Sequence, residues 1–357
     1  TFALGGELTL NNLKTDEQSG EASTTTFDYL ALSFPAGKFG IGFGLLPYSS
    51  VGYKLDSDVE INGEETIDNR YSGSGGINSA FLSVAYQISK NLSIGLESSY
   101  NFGNITNNVI DFQYDDEGEP LQYLSKEVNE SDLSGLRFNF GLHYSPMITE
   151  KLQLMAGLTF SPKSDITSNN NRLFQTIVIN PLNGQEGVVN QIEADLAEAD
   201  LEKTTLNLPS KTSIGAGIGR PRKWFLGAEY TRLQTSQFSN RVFDIENATF
   251  ENASTIAVGG FFIPQYTSFN NYWKRVVYRA GIRFENTGLK INNETINEFG
   301  ISFGAGLPVG RLFSNTNIGI EIGRRGTTNA GLVQENFVNF ELSLSLNDRW
   351  FVKRKFN

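Results

Sequence analysis

Residues 338–346, VNFELSLSL, alternate with a period of two: Val338, Phe340, Leu342, Leu344 and Leu346 interleave with Asn339, Glu341, Ser343 and Ser345. Successive side chains of a strand point to opposite faces, so this is a strand with one apolar and one polar surrounding. It closes at Asn347 and Asp348 and runs on into an aromatic and basic tail, Arg349, Trp350, Phe351, Lys353, Arg354 and Lys355. A wall with lipid on one side suits the strand, and lipid headgroups or a periplasmic partner suit the tail.

The same alternation recurs along the chain. FALGGELTL places Phe2, Leu4, Leu8 and Leu10 on one face, KFGIGFGLL places Phe39, Ile41, Phe43 and Leu45, and NLSIGLESSYNF places Leu92, Ile94, Leu96, Tyr100 and Phe102. RVVYRAGIRF and NIGIEIGR repeat it near the C-terminal end. Counting such segments gives about 14 strands of roughly 9 to 11 residues, the length a tilted strand needs to cross a bilayer core. A soluble β-sandwich also alternates, but its strands are nearer about 5 to 6 residues. The expected fold is all-β, an antiparallel transmembrane barrel over residues 1–348, followed by a periplasmic tail over 349–357.

Composition agrees. The chain of 357 residues has 27 Phe, 13 Tyr and 36 Gly but 2 Met and no Cys, which favours strands and turns and excludes disulfides and thiolate chemistry. Mean hydropathy is -0.26, and no apolar run reaches the roughly 18 residues of a membrane helix. A net charge of -10 argues against a nucleic-acid partner, since no basic surface is evident at the level of the whole chain.

Connections alternate between brief ones (PAGK, SKN, SPMITEK, RPR, LPVGRLFSN) and longer polar ones after Leu46, Gly103, Ser161, Leu233 and Gly323. That asymmetry predicts short periplasmic turns, long extracellular loops and both termini in the periplasm of a bacterial outer membrane. The long connections are acidic and the short ones basic, which fits outer-membrane lipid and lipopolysaccharide bridged by divalent ions.

Chemistry is sparse. His143 is the single histidine, and its spacing to Ser145 matches outer-membrane phospholipase barrels; Pro146 breaks the match, and no orienting Asn is evident. GIGFG (40–44) and GAGIG (215–219) lack the spacing and context of phosphate loops. DSDVEINGEE (56–65) has Gly63 at the wrong offset for a calcium loop. No enzyme activity, metal or cofactor is expected. Val189, Ile192, Leu196 and Ala199 stand at helical spacing, predicting a helix over 188–203 as a loop cap or a lid.

GKFGIGFGLLPYSSVGY (37–53), LPSKTSIGAGIGRPRKWFLGAEYTR (208–232) and YRAGIRFENTGLKINNETINEFGISFGAGLPVG (278–310) resemble the FadL/TodX type of outer-membrane transporter in a divergent form. The likeness covers nearly the whole chain and rests on strand and turn patterns. It implies a barrel of about 14 strands that passes hydrophobic small molecules, released sideways where a strand kinks. Gly40, Gly42, Gly44, Leu46 and Pro47 are the kink candidates, since Gly and Pro weaken ladder pairing. The family's N-terminal hatch, with its Asn-Pro-Ala segment, is not among these residues, since Thr1 enters a strand almost at once: either the hatch is not included in this chain or the gate that transport needs is lost. That departure favours an alternative: a non-transporting subunit of the barrel-assembly or secretion machinery. Such a subunit docks on envelope-protein partners through its wall and through Arg349, Trp350, Phe351, Lys353, Arg354 and Lys355.

Overall fold

A computed structural model describes residues 1–115, 117–237, 247–309 and 315–347. Eighteen strands form one antiparallel sheet. They are β1 Phe2–Lys14, β2 Ser19–Ala36, β3 Phe39–Ile61, β4 Glu64–Gln87, β5 Leu92–Asp111, β6 Leu124–Tyr144, β7 Gln153–Ser161, β8 Ser164–Ile179 and β9 Glu186–Glu193. They continue as β10 Lys203–Leu208, β11 Lys211–Arg220, β12 Trp224–Leu233, β13 Ala248–Phe250, β14 Ala253–Phe262, β15 Val277–Ile291, β16 Glu294–Leu307, β17 Asn315–Arg325 and β18 Gln334–Leu346. β18 returns to β1 from Phe2↔Leu346 to Lys14↔Gln334, so the sheet closes into a barrel and the two ends share one rim.

The wall has 14 strand positions, as the periodicity predicts. β7 with β8, and β10 with β11, each fill one position, while β9 and β13 add to the sheet beyond the wall. Alternate side chains stand outward and exposed, among them Leu96, Tyr100, Leu136, Phe140, Ile282, Phe303 and Leu342. A continuous apolar belt of this kind is costly in water and is what a barrel presents to lipid. Tyr86, Tyr144, Phe262 and Tyr278 edge it at the base, where amphipathic rings favour a headgroup level.

Strand lengths differ from expectation. β3 and β4 have 23 and 24 residues, about 75 Å of strand against a hydrocarbon core of about 30 Å. The polar stretch after Leu46 is therefore strand, joined by a tight turn at Asn62 (φ 55) and Gly63 (φ 88), the Asn-Gly geometry that matches strand twist. β3, β4, β5, β6, β8, β9 and β10 extend together as a sheet above the belt, called here the canopy. Inside it Ile77, Leu133, Ile166 and Leu208 form a small buried cluster.

The helix expected over 188–203 is absent. Its first part is β9, paired on β8 at Phe174↔Ile192 and Thr176↔Asn190, followed by a turn in which Asp195 caps the Ala197 amide and Asp200 takes φ 56. One helical-spaced row cannot offset a nucleation cost in so short a segment when a neighbouring strand edge offers ladder bonds. The short-turn rule also has an exception at the base, where residues 263–276 join β14 to β15. Asp348 and the tail at 349–357 lie outside the described residues.

Candidate functional site

The wall parts at two places. β2 and β3 pair from Leu30↔Leu45 to Ala36↔Phe39. Above that rung β2 stays on β1 as far as Ser19, β3 stays on β4 as far as Ile61, and among the described residues no ladder joins 19–29 to 46–61. The rung of Leu45 continues through Ala80 and Tyr100 to Leu136, so the seam opens at the level of exposed belt residues.

The kink candidates lie around this parting. Gly40, Gly42 and Gly44 are in register with both neighbours, and β3 bulges at Tyr48, between Pro47↔Asn78 and Ser49↔Ile77. Leu46 and Pro47 pair with β4 alone. Gly44 carries the tightest approach: a Cβ there would overlap the Leu30 carbonyl oxygen and lie 2.8 Å from the Phe81 ring.

A second break was not expected from the sequence. Pro162 separates β7 from β8, and Pro209 separates β10 from β11, at neighbouring rungs marked by Lys211↔Ser161 and Leu208↔Ser164. β6 pairs with β7 up to Phe140↔Phe160 and with β8 from Ser134↔Thr167, leaving 135–139 without ladder partners on that side while they stay paired with β5 on the other. Side chains bridge the interval: Arg137 donates to Ser161 Oγ at 3.2 Å, and Ser161 donates to Asn139 at 3.1 Å. Proline inside a strand belongs at edges or bulges, so the prolines of FSPKSD and NLPSKT were the available signal.

The lumen is polar. A cavity of about 810 Å3 is lined by His143, Glu229, Arg279, Arg283, Glu321 and Glu341 among others. Glycines form an inner row across four strands, Gly217↔Gly227↔Gly259↔Gly281, which widens it. On the facing wall a pocket of about 470 Å3 lies under the seam, beside Gly40, Gly42, Ser83, Glu97 and Asn139.

Charge inside the barrel is clamped across strands. Arg283 on β15 contacts Glu285 at 2.9 Å, Glu298 on β16 at 2.5 Å and Glu321 on β17 at 3.0 Å. Arg325 bonds the other oxygen of Glu298 at 2.5 Å, and the Glu298 side chain is 3% exposed. Isolated charges on the polar faces of FENTG, NEFGI and IEIGRR were the sequence signal for this group.

His143 faces this lumen opposite Gly157, while the Ser145 amide bonds the Asn91 carbonyl at the base; the two side chains make no mutual hydrogen bond. GIGFG and GAGIG lie within β3 and β11. Asp56 of the suspected calcium loop pairs with Arg70 at 2.8 Å, and that guanidinium holds its carboxyl below the usual carboxylate value of 3.8. No cluster of metal-ligating side chains is present among the described residues.

The family described as BamG matches residues 1–357. Comparison with curated proteins gives no match. Among solved structures, the toluene transporter TodX of Pseudomonas putida is 15% identical with a TM-score of 0.60, over 97% of this chain and 89% of that one. The CymD monoaromatic hydrocarbon channel is 13% identical with a TM-score of 0.56, over 98% and 88%. A FadL homologue of Pseudomonas aeruginosa is 13% identical with a TM-score of 0.54, over 96% and 89%. These likenesses place the fold among FadL-type barrels.

Proposed function

The chain belongs to the BamG family, and from that premise we propose an integral outer-membrane barrel that takes hydrophobic small molecules into its lumen and releases them sideways into the bilayer. The seam between β2 and β3 carries the reading. It opens within the apolar belt, it adjoins the pocket under Gly40 and Gly42, and an apolar molecule leaving there meets lipid rather than water. The base rim with both ends is the periplasmic side, and the canopy is extracellular, as the lengths of the strand extensions suggest.

A second reading has its own support. Ion pairs cross the lumen, and residues 46–61 leave one edge of the canopy open. An unpaired edge is a template for a partner strand, as a subunit of an envelope complex would use.

One experiment separates them. Tyr29→Cys with Leu46→Cys places a disulfide just above the last rung of a chain that has no other cysteine. In liposomes, transfer of toluene or a fluorescent fatty acid to the bilayer is expected to stop on oxidation and to resume on reduction. Equal transfer in both states overturns sideways release. No transfer in either state, with a stoichiometric envelope complex in mild detergent, establishes the subunit.

A further inference from the structure

Two adjacent connections at the base, 221–223 between β11 and β12 and 263–276 between β14 and β15, together with Arg220 at the end of β11, hold five cations and no acid: Arg220, Arg222, Lys223, Lys274 and Arg275. They do so in a chain of net charge -10. None of the five makes an ion pair among the described residues, and the Arg275 Nε is buried without a hydrogen-bond partner. Aromatic rings interleave with them. Arg222 lies 5.3 Å from the Tyr266 ring and Arg275 5.4 Å from that of Tyr272, while Phe269 and Trp273 are 98% and 66% exposed.

The longer connection folds against the lipid-facing side of the wall. Tyr278, an exposed belt residue, donates its hydroxyl to the Trp273 carbonyl at 3.2 Å, and Val276, two residues before it on the same face, is fully buried. The Ile263 amide bonds the Lys223 carbonyl at 2.7 Å, which ties the two connections into one surface. Arg222 also sits at φ 59, in the left-handed region of a Pro-Arg turn closed by the Lys223 amide on the Arg220 carbonyl. Glycine is the easy residue there, so a cation is held where the backbone disfavours it.

We propose that this surface is a headgroup site for anionic phospholipid of the periplasmic leaflet, with Arg222, Lys223, Lys274 and Arg275 around the phosphate and Phe269 and Trp273 at the acyl boundary. Guanidinium forks suit phosphate oxygens, and Trp and Tyr suit the interface. A protein partner would be met by a surface facing the periplasm; this one lies beside the belt. The inference rests on the membrane barrel proposed above.

The test uses the full chain reconstituted in bilayers of phosphatidylcholine with phosphatidylglycerol, followed by native mass spectrometry of retained lipid. The parent is expected to retain phosphatidylglycerol preferentially. Arg222→Gly is expected to lower that preference roughly fivefold while the barrel unfolds at the same or a higher temperature. Arg222→Gly with Lys223→Gln, Lys274→Gln and Arg275→Gln is expected to abolish the preference, and Lys151→Gln, at another base turn, to leave it intact. An inserted, heat-modifiable barrel with no lipid preference overturns this site alone, whereas failure to insert overturns the membrane reading. A quadruple variant that keeps the preference but loses a stoichiometric protein from native membranes shows a protein-docking surface and overturns the proposal.

Discussion

Glu298 sits where two guanidiniums converge, with a side chain 3% exposed and an oxygen given to each of Arg283 and Arg325. Its worth depends on what remains when it is removed. Glu298→Ala strands two cations; Arg283 keeps Glu285 and Glu321, and Arg325 is about half exposed to water that screens it. The loss is therefore expected at the lower end for a broken buried pair, about 3 kcal/mol, read from the urea midpoint of the refolded barrel. Glu298→Gln keeps the shape and one acceptor and is expected to lose clearly less; equal losses would mean that the carboxylate charge, and not shape or a single acceptor, carries the whole effect. Gly44 illustrates the opposite case, a position defined by what is missing. Its sequence signal, alternating glycine before a proline, was legible, but that β2 crowds it at the last rung of the seam is a three-dimensional fact.

At the level of elements, the strands inside the belt were legible because lipid outside and water inside impose a strict period of two. That pressure weakens above the belt. The polar sequences of upper β3, β4 and β8 therefore read as loops, although ladder bonds hold them extended into the canopy. Residues 188–203 carry a helical row for the same reason: with both faces exposed, β9 is under no pressure to alternate, and a chance spacing of apolar residues stands out. The paired prolines give this level its prediction. Pro162 and Pro209 each withhold an amide at one height, and beside them β6 over 135–139 is paired with β5 alone. Pro162→Val with Pro209→Val is expected to restore ladder continuity, slowing amide exchange at 135–139 while exchange in β15 stays as it was. Exchange unchanged at 135–139 would show that the prolines are not the cause of the gap.

For the whole molecule, closure and canopy are separable loads. The barrel closes through the 13 rungs of β1 on β18, from Phe2↔Leu346 to Lys14↔Gln334, and through the lower rungs of every other pair. The canopy hangs on strands already anchored below and adds its own small core at Ile77, Leu133, Ile166 and Leu208. Asp56 with Arg70 clips the ribbon of β3 and β4 farther out. Because Asp56 is held below its ordinary value, that clip is complete above pH 3.8 and fades only as pH falls through the lowered value. The pair is partly exposed, so its contribution is modest. Deleting 55–71 and joining Lys54 to Ser72 through Asn-Gly removes this outer ribbon while leaving the rung Tyr53↔Gly73 to seed the new turn. The shortened chain is expected to insert and keep heat-modifiable migration, since no rung of closure is lost. The same deletion removes residues 55–61, the outer part of the open β3 edge, so a subunit that docks on that part should lose its co-purifying partner, whereas sideways release through the seam at Leu30 and Leu45 should persist. Loss of the folded barrel itself would show that the canopy is a folding nucleus and that closure depends on it.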